Sequence, residues 1–95
     1  MKTCDLRVIG FKEGKRDNIG KLGSLIVDYK GYEVGVGSGL SAYYREEIWN
    51  NKDEYIGRII EVRYFEESNN EKGGKSLRFP SFRCFRDDKD EESYN

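Results

Sequence analysis

The sequence predicts an all-β domain with one short helix, its strands closing into a five-stranded barrel. Three observations predict it. Apolar and polar residues alternate with period two through most of the chain, the breaks between these stretches are short and Gly-rich, and a helical period follows only Ser41. At 95 residues and 36% apolar content, the chain suits a single compact domain, which at this size buries roughly 60% of the surface exposed on unfolding.

The first strand runs from Cys4 to Lys12. After a loop of Gly, Lys, Arg, Asp and Asn, a second spans Leu22 to Lys30, with Leu25, Val27 and Tyr29 on one face and Ser24, Ile26 and Asp28 on the other. Gly31 makes a tight turn. Tyr32, Val34 and Val36 then alternate with Glu33, Gly35 and Gly37 in a third strand, the hairpin partner of the second. Ser41 caps a helix over Ala42 to Asn50, which places Leu40, Tyr44 and Ile48 on one side and Glu46 and Glu47 near its positive end. One helix is all the pattern supports. Arg58 to Glu67 reads as one long strand with Ile60, Val62 and Tyr64 inward, and the polar loop Ser68 to Lys75 leads to a last strand from Ser76 to about Arg86. Pro80 removes a ladder donor, so that strand is an edge or carries a bulge near Pro80. Residues 87–95 are polar and acidic and are expected to form a disordered tail, leaving 1–86 as the domain. Three strands, a helix and two strands is the order of the OB-fold, a partly open Greek-key barrel whose face binds oligonucleotides or oligosaccharides. An SH3-like barrel is the nearest competitor. The helix favours OB, because Tyr44, Ile48 and Trp49 can plug the open end.

The longest aliphatic runs, Leu25-Ile26-Val27 and Ile59-Ile60, are far short of the roughly 20 residues that span a bilayer. A soluble, cytoplasmic monomer is expected. Cys4 and Cys84 give neither a disulfide framework nor a metal-ligand spacing, and histidine is absent. Chemistry must therefore run on Lys, Arg and carboxylates, with no metal site of the chain's own. Net charge is −1, but residues 87–95 hold five acids and one lysine, which leaves 16 basic against 13 acidic groups, or +3, on the body. A mildly basic body suits a polyanion partner and is also common on domains that bind nothing charged.

Arg58, Arg63, Lys75, Arg78, Phe79, Phe82, Arg83, Phe85 and Arg86 interleave on or beside the last two strands. Guanidinium groups grip phosphates while aromatic faces take bases or sugars. Arg58, Arg63, Lys75, Arg78, Phe82 and Arg83 are the candidate DNA contacts; on residue type alone, a solvated strand with core Phe side chains accounts for them equally well. Gly35-Val36-Gly37-Ser38-Gly39 lacks both the third glycine of a dinucleotide fingerprint and the lysine of a P-loop, so it reads as a strand-to-helix turn. Glu46-Glu47 and Glu66-Glu67 read as solvated faces, because neighbouring residues point different ways.

Leu77-Arg78-Phe79-Pro80-Ser81-Phe82 followed by Arg86-Asp87-Asp88-Lys89 resembles the closing segment of ATP-dependent DNA ligases, a Leu-Arg-x-Pro-x-Phe run and then Arg-x-Asp-Lys. Val36 to Leu40 before the helix and Tyr55-Ile56-Gly57-Arg58 opening a strand match in the right order, so the resemblance covers nearly the whole chain. It implies the C-terminal OB domain of such an enzyme, in replication or repair. The implied partners are nicked duplex DNA and a nucleotidyltransferase domain in cis or trans. By carry-over, Arg86 and Lys89 contact the β and γ phosphates of ATP during enzyme adenylylation, and Asp88 orients one of them. ATP and Mg2+ would be bound through the parent enzyme and neither by this chain alone. The nucleophilic Lys-x-Asp-Gly motif occurs nowhere in the sequence, so the chain should be inactive by itself; Lys2 matches the end of the lysine-rich motif that precedes this domain. The alternatives are a freestanding single-stranded nucleic-acid-binding OB module and the OB domain of an mRNA-capping guanylyltransferase.

Overall fold

A computed structural model describes residues 2–69 and 73–94. The strands are β1 (Lys2–Glu13), β2 (Leu22–Tyr29), β3 (Tyr32–Val36), β4 (Ile59–Tyr64), β5 (Glu66–Asn69), β6 (Lys75–Arg78), β7 (Ser81–Phe85) and β8 (Ser93–Tyr94). Helix α1 (Ala42–Asn50) follows β3, and the single turn α2 (Lys52–Tyr55) precedes β4. The main sheet runs in the order β3-β2-β1-β4-β7, all antiparallel neighbours. β1 serves both halves of the barrel. Its first half pairs with β4 and its second with β2, and register shifts at Val8/Gly10 and Lys12/Glu13 bend the strand between them. The two ends of the sheet then meet: Phe82 N donates to Ser38 O at 2.8 Å and Ser38 bridges Ser81. This is the expected OB-fold, a five-stranded Greek-key barrel closed between β3 and β7.

The local signals read from the sequence account for its turns and helix. Lys30 and Gly31, at φ 53° and 91°, form the two-residue connection between Tyr29 and Tyr32, where both central positions need positive φ. Ser41 accepts from Tyr44 N at 3.1 Å and caps α1. From α1, Ile48 enters the core fully buried, among Leu6, Val8, Leu25, Val27, Val36, Ile60 and Val62; each such side chain contributes about 1.5–3 kcal/mol. Tyr44 and Trp49 pack partly buried against that core, so the helix plugs the barrel as expected.

Several expectations are corrected. The long strand over 58–67 divides at Phe65 into β4 and β5, and the strand over 76–86 divides into β6 and β7, because Phe79 takes φ 53° and Pro80 has no N–H to give. β5 and β6 pair with each other in a hairpin of their own that takes in much of the expected polar loop; residues 70–72 of that loop lie outside the described residues. The edge-or-bulge expectation for the Pro80 strand holds, since β7 ends the main sheet and carries a bulge at Arg83, where Glu61 faces Cys84 and Val62 faces Phe82. A second helical turn, α2, adds to the single helix expected. Finally, the tail does not leave the barrel: through Tyr94 it folds back along β1, with Ser93 and Tyr94 opposite Asp5 and Cys4, the stretch of β1 that β2 leaves unpaired.

Candidate nucleic-acid interface and phosphate motif

Outward-pointing residues of β1, β4 and β7 form one surface. Register places Asp5 opposite Glu61 and Glu61 opposite Cys84, and beside that row Thr3 opposite Arg63 and Arg63 opposite Ser81. Arg86 leaves β7 by donating its backbone N–H to Ile59 O at 2.8 Å, and Lys89 N–H closes a turn on Arg86 O at 3.0 Å. The Arg-x-Asp-Lys motif thus lies across the Asp5–Glu61 row. Arg86 Nη1 reaches Asp5 and Glu61, each at 3.3 Å, while its Nε and Nη2 hold the two oxygens of Asp88. Lys89 Nζ lies 2.7 Å from Asp5 Oδ2. Beneath them Asp5 is only 3% exposed. The Asp88 hydrogen bonds, followed by the Asp5 charge, raise the Arg86 pKa further, and the same pair holds Asp88 below its ordinary value.

The six expected DNA contacts separate into four environments. Arg63 and Arg83 are exposed, on adjacent strands, and their guanidinium groups have no partner among the described residues. Arg58 is occupied: it lies over the rings of Phe85 and Tyr55 at 4.3 and 4.9 Å and pairs with Asp87 at 2.7 Å. Lys75 and Arg78 belong to the β5–β6 hairpin and pair there with Glu67 at 3.3 Å and Glu66 at 2.9 Å. Phe82 is a correction. It is 5% exposed and packs edge-on against Tyr44 and Phe85, so it is core and offers no face to a base.

The exposed aromatics lie elsewhere. Phe79 (74% exposed) and Phe65 (55% exposed) meet edge to face at 6.5 Å where the long strands break. Phe65 had a signal in the sequence, since it falls on the outward phase of a strand whose Tyr64 points in. A second set of cations without an ion-pair partner among the described residues, Lys12, Lys15, Arg16 and Lys21, flanks the β1–β2 connection. The Gly-Lys-Arg character of that loop was its signal.

Neither cysteine forms a disulfide, and burial, helped by the Asp5 charge, pushes the Cys4 thiol up to about 12, leaving it inert. Among the described residues no group of three or more Cys, Asp or Glu converges as a metal site, and no helix is long and apolar enough to cross a membrane. Glu67 joins the β2–β3 turn to the β5–β6 hairpin, accepting from Tyr29 Oη at 2.6 Å and Lys30 Nζ at 3.2 Å. Those bonds, Tyr29 first, lower its pKa from 4.5 to about 2. A depressed carboxylate stabilises the fold above its unfolded pKa and loses that contribution as pH falls through the folded value. Glu67→Gln should therefore melt below the parent at about pH 6, with the gap closing towards about pH 2; a gap independent of pH would show that the charge is not what stabilises the contact.

A family model described as a DNA ligase OB-like domain matches residues 13–86. Among solved structures, one named Pmar-Lig_PreS3 is 37% identical, with a TM-score of 0.79, over 90% of this chain and 21% of its own. A Chlorella virus DNA ligase-adenylate is 30% identical, TM-score 0.75, over 94% of this chain and 32% of its own. A structure from work on Lig E DNA ligases, 23% identical with a TM-score of 0.65 over 90% of this chain, shares the fold. This chain spans between about a fifth and a third of the length of these proteins. No curated protein sequence matches it.

Proposed function

The chain belongs to the DNA ligase OB-like domain family, and from that premise we propose that it serves as the DNA-gripping domain of an ATP-dependent ligase, acting at nicks in replication or repair. One observation carries the DNA reading: Arg63 and Arg83, on neighbouring strands of the barrel wall, are the two of the expected cations that no carboxylate of the described residues neutralises. An exposed guanidinium free of counter-charge is suited to a phosphate oxygen. Arg86 and Lys89 take the second task, meeting the β and γ phosphates of ATP while a nucleotidyltransferase domain binds the nucleotide and Mg2+. The two tasks use different residues, so the domain presents its motif to one partner and its wall to the other in turn.

With only +3 on its body, the chain can neutralise few phosphates, so binding should be weak, about micromolar or poorer, and steeply dependent on salt. In titrations of nicked duplex at increasing salt, Arg63→Ala and Arg83→Ala should each lower the slope of log K against log salt by about one. Arg78→Ala, which loses a guanidinium already paired with Glu66, should lower it less. Slopes unchanged in both wall variants would remove the wall from the interface. The exposed Phe65–Phe79 pair also suits stacking on unpaired bases, and tighter binding to single strands than to nicked duplex would replace this reading with that of a single-strand binding module.

A further inference from the structure

Arg86 and Lys89 occupy positions in which neither is available to a nucleotide. All three guanidinium nitrogens of Arg86 are committed, to Asp5, Glu61 and Asp88, and the Lys89 ammonium is seated on Asp5. The cluster of two cations and three carboxylates carries a net charge of −1. A triphosphate approaching it would meet no attraction.

The three acids are not equivalent. Asp88 is 68% exposed in its side chain and travels with the motif, and Glu61 is 26% exposed and, among the described residues, forms an ion pair with Arg86 alone. Asp5 is 4% exposed in its side chain, is fixed at the centre of the sheet between β4 and β8, and touches both cations. Among the described residues it is also the one carboxylate paired with Lys89. Buried charge of this kind is tolerated because two counter-charges cover it, and both of those remain about 30% exposed, within reach of a partner from solution.

We propose that Asp5 is a positioning residue for the phosphate-contact motif: a buried anchor that holds Lys89, and with it Arg86, on the barrel wall, and that a polyphosphate displaces. The motif is tied at both ends, by Arg86 N–H on Ile59 O before it and by the Arg7 guanidinium on Asp90 O and Glu92 after it. The exchange is thus a swing of the Lys89 and Arg86 side chains from carboxylate to phosphate, with the tail strand β8 left in place. The affinity of the motif for a nucleotide is reduced by the stability of this seated state, as for any ligand that binds a minor conformer.

This inference rests on the phosphate-contacting role proposed for Arg86 and Lys89, and the test separates the two. Tripolyphosphate is titrated into the 95-residue chain and followed by NMR. In the parent, the Lys89 ammonium should give a slowly exchanging signal, and the Asp5 side-chain carboxyl carbon should shift as tripolyphosphate binds. Asp5→Asn should lose the ammonium signal and bind tripolyphosphate at least about threefold more tightly, the scale of one half-exposed ion pair. Asp5→Glu should return towards the parent, and Lys89→Ala added to Asp5→Asn should abolish the gain. A folded Asp5→Asn chain that binds through Lys89 no more tightly than the parent overturns the anchor alone. Binding that is indifferent to Lys89 in both backgrounds overturns the anchor and the phosphate role together. Should Asp5→Asn fail to fold, the parent decides: an Asp5 carboxyl signal that stays still while that of Lys89 shifts overturns the exchange.

Discussion

Lys89→Ala is expected to slow the transfer of AMP from ATP to a ligase nucleotidyltransferase domain, supplied in trans with this chain, by about 10² to 10³-fold relative to the unmodified chain, and Arg86→Ala by a similar factor. In this step the nucleophilic lysine belongs to the nucleotidyltransferase domain and this chain forms no covalent bond; positioned cations neutralise charge as it builds on the departing pyrophosphate, and removal of one such group costs on this scale. Arg83→Ala, from the barrel wall, should leave AMP transfer unchanged while weakening DNA binding. The chain alone, incubated with ATP and Mg2+, should gain no mass equal to AMP, because it has no Lys-x-Asp-Gly nucleophile. An AMP adduct on the isolated chain would show that it carries a nucleophile of its own, whereas equal losses in both assays for Lys89→Ala and Arg83→Ala would point to one shared phosphate site in place of two surfaces.

Features set by neighbours in sequence were legible, and those set by distant pairing were not. The Ser41 cap, helix Ala42–Asn50 and the Lys30–Gly31 turn follow from residues within four positions of one another. The phase of the last strand did not. Read as one strand from Ser76, its alternation puts Leu77, Phe79, Arg83 and Phe85 on one face, yet Leu77 and Phe82 are buried and Phe79 is the most exposed aromatic of the chain. The positive φ at Phe79, carried by a residue that is not glycine, resets the phase once, and the bulge at Arg83 resets it again so that Phe82 and Phe85 both turn inward. Pro80 marks the first break in the sequence but not the phase it leaves behind, and nothing in composition marks the second. The occupied state of Arg86 and Lys89 was equally hidden, because Asp5 looks like an ordinary outward residue of an edge-to-edge strand until a tail more than 80 positions away covers it. The resemblance to ligases supplied the identity of the motif but not the conformation it holds in this domain.

Gly39→Ala should cost the domain more stability than any conservative change on its surface, about 3–5 kcal/mol, out of the 5–15 kcal/mol typical of a whole domain. Gly39 has φ +85°, and it lies where β3 runs on to meet β7 and close the barrel. A Cβ there would press into the Phe82 carbonyl oxygen and come within 2.8 Å of Ser81 Oγ and 3.1 Å of Phe82 N, so β7 must move outward. That movement breaks the Phe82 N–H bond to Ser38 O and loosens Phe82 from Tyr44 and Phe85, opening the seam beside the helix plug. Gly31→Ala is the internal control. Gly31 has φ +91° but nothing within 4 Å of its added Cβ, so it bears only the left-handed strain, about 1 kcal/mol. Urea unfolding of the two variants separates backbone strain from collision. If Gly39→Ala lowers stability no more than Gly31→Ala, the β3–β7 seam is looser than the contacts at Gly39 require, and barrel closure does not depend on the absence of a side chain there.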